Sequence, residues 1–263
     1  MLLAIEIGNT QSVYGVFDGS SWIGVWRRET RATETEDEIA AWLLDMLGHS
    51  GIQTPISAAV TGTVVPGLEQ AIVHLCEKWL RVPLVRLETG EQVGLPVDYQ
   101  PKHAVGADRI ANALGALALY SPPLIVVDFG TATTFDVIDA SGTYVGGAIL
   151  TGISVSTDAL ITKTAKLPPF RLEAPQRAIG KSTVESLQSG IVLGYAGAID
   201  SLSARISAEL GQQPKILATG GLGALFCGLC ESIEEYLPTL TLDGLRIAYD
   251  RITGAKRPDA PVR

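Results

Sequence analysis

Hydrophobic and polar positions divide the chain into short apolar runs and longer amphipathic stretches. Residues 2–7 (LLAIEI) and 12–17 (SVYGVF) predict two strands of a hairpin, and Trp22–Arg28 predicts a third strand. Thr35-Glu-Asp-Glu38 has the spacing of a capping box. Ile39, Leu43, Leu44 and Leu47 follow it on one helical face. Ala58–Thr63 predicts a strand. Pro66 opens a helix with Leu68, Ala71, Ile72, Leu75 and Trp79 inward, and Val82–Leu87 predicts another strand. Gly106–Tyr120 predicts a helix burying Ile110, Ala113, Leu114 and Leu117, and Ser121-Pro122-Pro123 stops it.

The pattern then restarts. Leu124–Asp128, Thr133–Asp139 and Tyr144–Ile149 predict three more strands. Ser182-Thr-Val-Glu185 opens a long helix with Leu187, Ile191, Tyr195, Ala198, Leu202 and Ile206 inward. Lys215–Ala218 predicts a strand running into Gly220-Gly221. The Pro pair sets a domain boundary, with residues 1–121 as one domain and 122–263 as the other. Residues 254–263, with two Pro and several charges, read as a mobile tail. Each half is a strand hairpin, a third strand, and then alternating helix and strand. The expected fold is α/β, two duplicated domains with mixed sheets and a cleft between them.

The two hairpins repeat one chemical pattern. AIEIGNTQSVYGVFDG (4–19) and VVDFGTATTFDVIDASG (126–142) align with Glu6 on Asp128, Gly8 on Gly130, Asn9 on Thr131 and Ser12 on Thr134. A Gly lets backbone approach a ligand closely. Successive N–H groups in such a turn form an anion-binding concavity, and Thr, Ser and Asn add donors. An acid at the strand end can hold a cation that neutralises a phosphate. One copy is equally well a plain Gly turn. Two copies with an acid, a Gly and hydroxyls at matching offsets favour a clamp on a polyphosphate. The Gly220-Gly221 turn is a third, weaker candidate element.

Charge limits the partners. The 263 residues carry 28 Asp and Glu against 20 Lys and Arg, net −8, which argues against nucleic acid or an anionic membrane as partner. No basic segment precedes the first apolar run, and no run reaches the roughly 20 residues of a membrane span. The expected location is cytoplasmic. Three cysteines, Cys76, Cys227 and Cys230, are too few for a disulfide framework or a four-ligand zinc site and read as reduced thiols.

The twin loops and the late Gly-Gly turn resemble the superfamily of actin, Hsp70 and the sugar kinases, whose domains are ribonuclease-H-like. Within it, Tyr99 with Gly106-Ala-Asp-Arg109, the Asp128-Phe-Gly-Thr-Ala-Thr-Thr134 loop, Gly146-Gly147-Ala-Ile149, Ile179-Gly-Lys-Ser-Thr183 and the Val64-Val-Pro66 turn are similar to motifs of type III pantothenate kinases, over about residues 1–250. Glu6 stands where that family normally carries Asp, and Thr151-Gly152 where it carries Pro-Gly.

The resemblance implies transfer of the ATP γ-phosphoryl group to the primary hydroxyl of pantothenate, the first step of coenzyme A biosynthesis. It implies Asp108 as the group that accepts the hydroxyl proton, held ionised by the helix dipole. Tyr99, Gly106, Ala107, Asp108, Arg109 and Thr183 become substrate contacts, Thr183 reached from a partner subunit of a homodimer. Glu6, Ile7, Gly8, Asn9, Thr10, Gln11, Ser12, Val13 and Thr131 become ATP and phosphate contacts. Asp128 becomes the ligand of a monovalent cation, K⁺ or NH₄⁺, and Glu6 a ligand of Mg²⁺. Gly190, Gly194 and Gly197 mark the helix expected at the dimer interface. From the residues alone, the favoured reading of Asp108 is a helix N-terminal charge without chemistry, and of Arg109 a structural ion pair. Two other readings stay open: a relative that binds nucleotide or pantothenate without turnover, as a sensor or partner protein, and another kinase or phosphatase of the same fold.

Overall fold

The computed structural model describes residues 1–255. Most of the expected tail, residues 256–263, lies outside the described residues. The chain forms two compact units, one from residues 1–119 with the last helix and one from residues 120–239.

The first unit runs β1 (Leu2–Ile7), β2 (Gln11–Phe17), β3 (Trp22–Glu29), α1 (Glu36–His49), β4 (Ala58–Thr63), α2 (Pro66–His74), β5 (Leu84–Arg86) and α3 (Ala107–Leu119). Its sheet has the order β3-β2-β1-β4-β5. The first three strands are antiparallel, and β4 and β5 run parallel to β1. β1 lies in the middle, buried on both faces except at Glu6, which is half-buried. Leu3, Ile5 and Ile7 pack with Ile39, Leu43, Leu68 and Ile72 of α1 and α2. Side chains alternate along a strand, so Glu6 shares the opposite face with Leu2 and Ala4. The expected capping box starts α1: Glu38 N–H donates to Thr35 Oγ1 at 3.3 Å, and Thr35 N–H to Glu38 Oε2 at 2.9 Å. Trp79 departs from its expected inward place. A π-helical turn, Leu75–Leu80, follows α2 and rotates it outward, where its indole donates to Asp37.

The second unit runs β6 (Leu124–Phe129), β7 (Ala132–Ile138), β8 (Tyr144–Thr151), α4 (Ile153–Lys163), α5 (Thr183–Gln188), α6 (Gly194–Leu210), β9 (Lys215–Gly220), α7 (Gly223–Cys227) and β10 (Glu235–Tyr236). Its sheet order, β8-β7-β6-β9-β10, reproduces that of the first unit strand for strand. β6 repeats the burial of β1, with only the acid, Asp128, half-buried. Even the irregularity at the far end recurs, between Val16 and Phe17 and between Val137 and Ile138. The duplication read from the hairpins therefore extends through both sheets.

Two expectations need correction. The helix opened by Ser182 is not continuous: a π-helical turn, Ser189–Leu193, separates α5 from α6. Its wider turn shifts the phase, so Val192, Ala196, Ile199 and Ser203 are the buried positions, while the expected Ile191, Tyr195, Leu202 and Ile206 are partly buried and pack against the same core. The second correction concerns the domain 122–263. The last helix, α8 (Leu240–Thr253), belongs to the first unit, where it packs on α3 and β1. Gly244 makes that contact possible, since a Cβ there would collide with the Ala111 carbonyl of α3.

Candidate active site

The first loop, Gly8–Thr10, joins β1 to β2 and is closed by Gly8 N–H donating to Gln11 O at 3.1 Å. Asn9, Thr10 and Gln11 are exposed. Glu6 lies between Gly62 of β4 and Val13 of β2. A side chain on Gly62 would meet Leu245 of α8 and Ala107 of α3. Glu6 and the start of α3 thus lie on one face of one sheet, at the carboxyl ends of β1 and β4.

At the start of α3 the sequence Gly106-Ala-Asp-Arg109 makes a compact turn. The Asp108 carboxylate folds back over Gly106, where any Cβ would collide with Asp108 Oδ1. Arg109 N–H donates to the same oxygen at 2.8 Å. Burial pushes the Asp108 carboxyl above the ordinary carboxylate range, and the amide and guanidinium of Arg109 pull it only partly back. Burial thus works against the ionised form that the helix dipole was expected to favour. Arg109 is buried and Tyr99 half-buried. Beside the turn is a cavity of ≈ 310 Å³ bounded by Thr63, Val64, Arg86, His103, Gly106 and Ala107. Sequence reasoning missed Thr63, Arg86 and His103 as site residues. The only signal was the position of Thr63 and Val64 just before Pro66.

The second loop, Gly130–Thr131, is enclosed by backbone. Gly130 N–H donates to Ala132 O at 3.1 Å, and Gly152 N–H to Thr131 O at 3.1 Å. A Cβ on Gly152 would collide with Thr131 O and lie 2.7 Å from Gly130 O. Gly220 has φ +85°, and a Cβ there would stand 2.5 Å from Asp128 Oδ1 and 2.6 Å from Phe129 N. Thr131 is exposed.

The registers revise the alignment of the two loops. Ile7 pairs with Ser12 and Phe129 with Thr133, so Ser12 matches Thr133, and the first loop is one residue longer. Both hydroxyls are almost wholly buried. Ser12 Oγ bonds Thr30 Oγ1 at 2.7 Å, and Thr133 Oγ1 accepts from Tyr195 Oη at 2.7 Å. Ser12 is thus tied to Thr30 and almost wholly buried, and Val13 is a buried strand residue.

Oxygen donors dominate both loops. Among the described residues no group of three or more His, Cys, Asp or Glu forms a metal cage. One carboxylate per loop, completed by phosphate and water, is the arrangement magnesium takes. The second loop adds the Gly130 and Thr131 carbonyls, crowded where Gly152 has no side chain. A carboxylate with carbonyl oxygens suits an alkali cation. Thr183 is exposed at the first position of α5. That helix is capped by Ser182, whose Oγ accepts from Glu185 N–H at 3.2 Å.

Duplicated mixed sheets, each with an acid at the end of its central strand, define the actin-like ATPase class, and solved structures agree. A Campylobacter jejuni protein described as a Baf family transcriptional activator superposes with TM-score 0.62 at 20% identity, covering 96% of this chain and 100% of that one. The activator of 2-hydroxyisocaproyl-CoA dehydratase from Clostridium difficile, solved with bound ADPNP, gives 0.53 at 12% identity, covering 98% and 99%. A family model for type III pantothenate kinase matches residues 2–205. Type III pantothenate kinases of Anaeromyxobacter sp. (strain K) and Gluconobacter oxydans (strain 621H) are 44% and 42% identical. The alignments cover 95% of this chain and 99% of the first relative, and 100% and 98% for the second. The chain belongs to the type III pantothenate kinase family and is an ATP-dependent kinase. No helix among the described residues is long and apolar enough to cross a membrane.

Proposed function

We propose that the chain transfers the γ-phosphoryl group of ATP to the primary hydroxyl of pantothenate, giving 4'-phosphopantothenate, the first step of coenzyme A biosynthesis. The observation that carries this reading is the Asp108 carboxylate, seated over Gly106 at the start of α3 beside a cavity and made more basic by burial. Asp108 orients the pantothenate hydroxyl and takes its proton as the oxygen attacks phosphorus. Arg109, Tyr99, Gly106 and Ala107 hold the rest of that substrate. The turns at Gly8–Gln11 and Gly130–Thr131 present backbone N–H groups and the side chains of Asn9, Thr10, Gln11 and Thr131 to the nucleotide phosphates. Mg²⁺ held near Glu6, with K⁺ or NH₄⁺ near Asp128, would neutralise phosphate charge.

The protein acts as a homodimer in the cytoplasm, with Thr183 reaching the partner's substrate. Gly190, Gly194 and Gly197 support this. A side chain at any of them would meet nothing within 4 Å among the described residues, so close packing inside the chain does not account for them. Ile149 and Ile179 are exposed in the same unit, at 66% and 73%.

The test is phosphopantothenate formation followed by mass spectrometry with ATP, Mg²⁺ and K⁺. The protein should form product, and Asp108→Asn should lose roughly 100-fold or more in kcat while still binding nucleotide. Turnover of a sugar but not pantothenate, or full activity in Asp108→Asn, would overturn the assignment.

A further inference from the structure

The segment that follows β3 is tied to the first loop at one end and to β3 at the other. Thr30 N–H donates to Thr10 O at 2.9 Å, and Thr30 Oγ1 bonds the buried Ser12 Oγ at 2.7 Å. Four residues on, Glu34 is buried at 7% exposure and pairs with Arg28 of β3 and, at 2.7 Å, with Arg31. Arg28 stands directly across from Ser12 in the β2–β3 register, and its guanidinium lies 4.7 Å over the Trp42 ring of α1. Thr30 is therefore held on a short, doubly anchored arc. From there it fixes the carbonyl of the loop's last residue and the Ser12 hydroxyl.

We propose that Thr30 is a positioning residue for the ATP phosphates, setting the direction of the backbone N–H groups of Asn9, Thr10 and Gln11. Its hydroxyl is bonded to Ser12, which is 2% exposed. It acts through the loop. The inference rests on reading Gly8–Gln11 as the nucleotide loop.

The comparable place in the second unit supports the assignment. Thr30 is the first residue after β3, and Gly152 is the first residue after β8. Both donate their backbone N–H to the carbonyl of the last loop residue, Thr10 in one and Thr131 in the other. The backbone tether is common to both loops. The hydroxyl tether belongs to Thr30 alone, and in the second loop its place is taken by Tyr195 reaching Thr133 from α6.

Removing the hydroxyl while keeping the shape, in Thr30→Val, leaves the Ser12 hydroxyl buried without its partner and frees the loop's exit. One hydrogen bond of this kind corresponds to roughly three- to tenfold. KM for ATP should rise by that factor, with KM for pantothenate unchanged within about twofold. Thr30→Ser should restore the wild-type KM for ATP. A merely structural role would not separate the two substrates. A rise in both constants, or in neither, would overturn the inference. Gly8→Ala is measured alongside, because its Cβ would lie 2.9 Å from Gln11 O and distort the loop directly. If Gly8→Ala raises KM for ATP and Thr30→Val does not, the brace is wrong and the nucleotide loop stands. If neither does, the nucleotide loop itself is misassigned. Should Thr30→Val fail to fold, Ser12→Ala, which removes the other partner, reads the same split between substrates.

Discussion

The two loops begin from the same strand position and are built differently around it. In the first, the acid is Glu6, the turn has an extra residue, and the flanking positions are Thr30 and Thr63. In the second, the acid is Asp128, the turn is shorter, and the flanking positions are Gly152 and Gly220. One loop is braced by side chains and the other is wrapped by backbone. Duplication thus preserved where the acid stands and the tether to the loop carbonyl, while the two packings around them diverged. A backbone wrap leaves little slack, because Gly152 and Gly220 stand mostly against main-chain atoms. A side-chain brace can adjust by rotamer. The neighbours of the two acids differ accordingly: Glu6 stands beside Gly62, over which Leu245 and Ala107 pack, whereas Asp128 Oδ1 lies against Gly220.

The largest effect should come from testing the wrap. Gly220→Ala adds a Cβ at φ +85° within 2.6 Å of main-chain and carboxylate atoms. We expect a loss of about 2–4 kcal/mol in denaturant unfolding, from the left-handed backbone cost and the clash. Thr63→Ala at the matching place in the first unit removes only a hydroxyl that accepts from Val65 N–H at 3.1 Å. That should cost about 1 kcal/mol. Equal losses at the two positions would break the distinction between wrap and brace.

A sharper test exchanges the acids. Asp128→Glu pushes its carboxylate into the Gly220 turn and should cost on the order of 100-fold in kcat/KM, since phosphoryl transfer depends on fixed positions. Glu6→Asp shortens the acid and forces no new atoms into its surroundings, and should stay within about tenfold of the parent. Steady-state kinetics on both variants decides the matter. A larger loss in Glu6→Asp than in Asp128→Glu would show that the first loop, not the second, is the stringent one.

What the sequence made legible follows the same division. The hairpins, the Thr35 capping box, the Ser182 N-cap and the start of α3 rest on residues within a few positions of one another, and they stand where the pattern put them; only the return bond of the second box differs, since Glu185 Oε2 accepts from Lys181 N–H instead of Ser182 N–H. Glu6 and Asp128 were readable because an acid in an otherwise apolar strand end is conspicuous. The pairing of Ser12 with Thr133 was not readable. It depends on which carbonyl closes each turn, Gln11 or Ala132, and sequence offsets count the extra loop residue as if it were strand. The π-helical turn before α6 obeys no 3.6-residue spacing and was not readable; it puts the most buried positions beside the expected ones, which still pack against the core. The place of α8 depends on Gly244 meeting Ala111, a contact between residues far apart in the chain.

The smallest effects separate two acids in equivalent helices, α3 after β5 and α8 after β10, each with an acid in its first turn. Asp243 accepts from the Trp22 indole at 2.9 Å, a partner that gains from the charge. Asp243→Asn weakens that bond and removes a negative charge from a helix N-terminus, so stability should fall by about 0.5–1 kcal/mol. Asp108 is the opposite case. Its folded pKa is raised by burial, so the folded state holds the proton to higher pH than the unfolded chain does. Stability then declines as pH rises from the ordinary aspartate value of about 3.9 through the raised folded value, and stays reduced above it. Asp108→Asn keeps an acceptor for Arg109 N–H but carries no charge. It should unfold at a higher temperature than the parent at neutral pH, the gain vanishing as pH falls below the ordinary aspartate value. A lower melting temperature for Asp108→Asn at neutral pH would mean the carboxylate is held by a compensating charge, and its role as a base raised by burial would fall. The expected pair of opposite signs is what a binding scaffold and a reacting group should give, since only the second accepts a desolvated charge in exchange for reactivity.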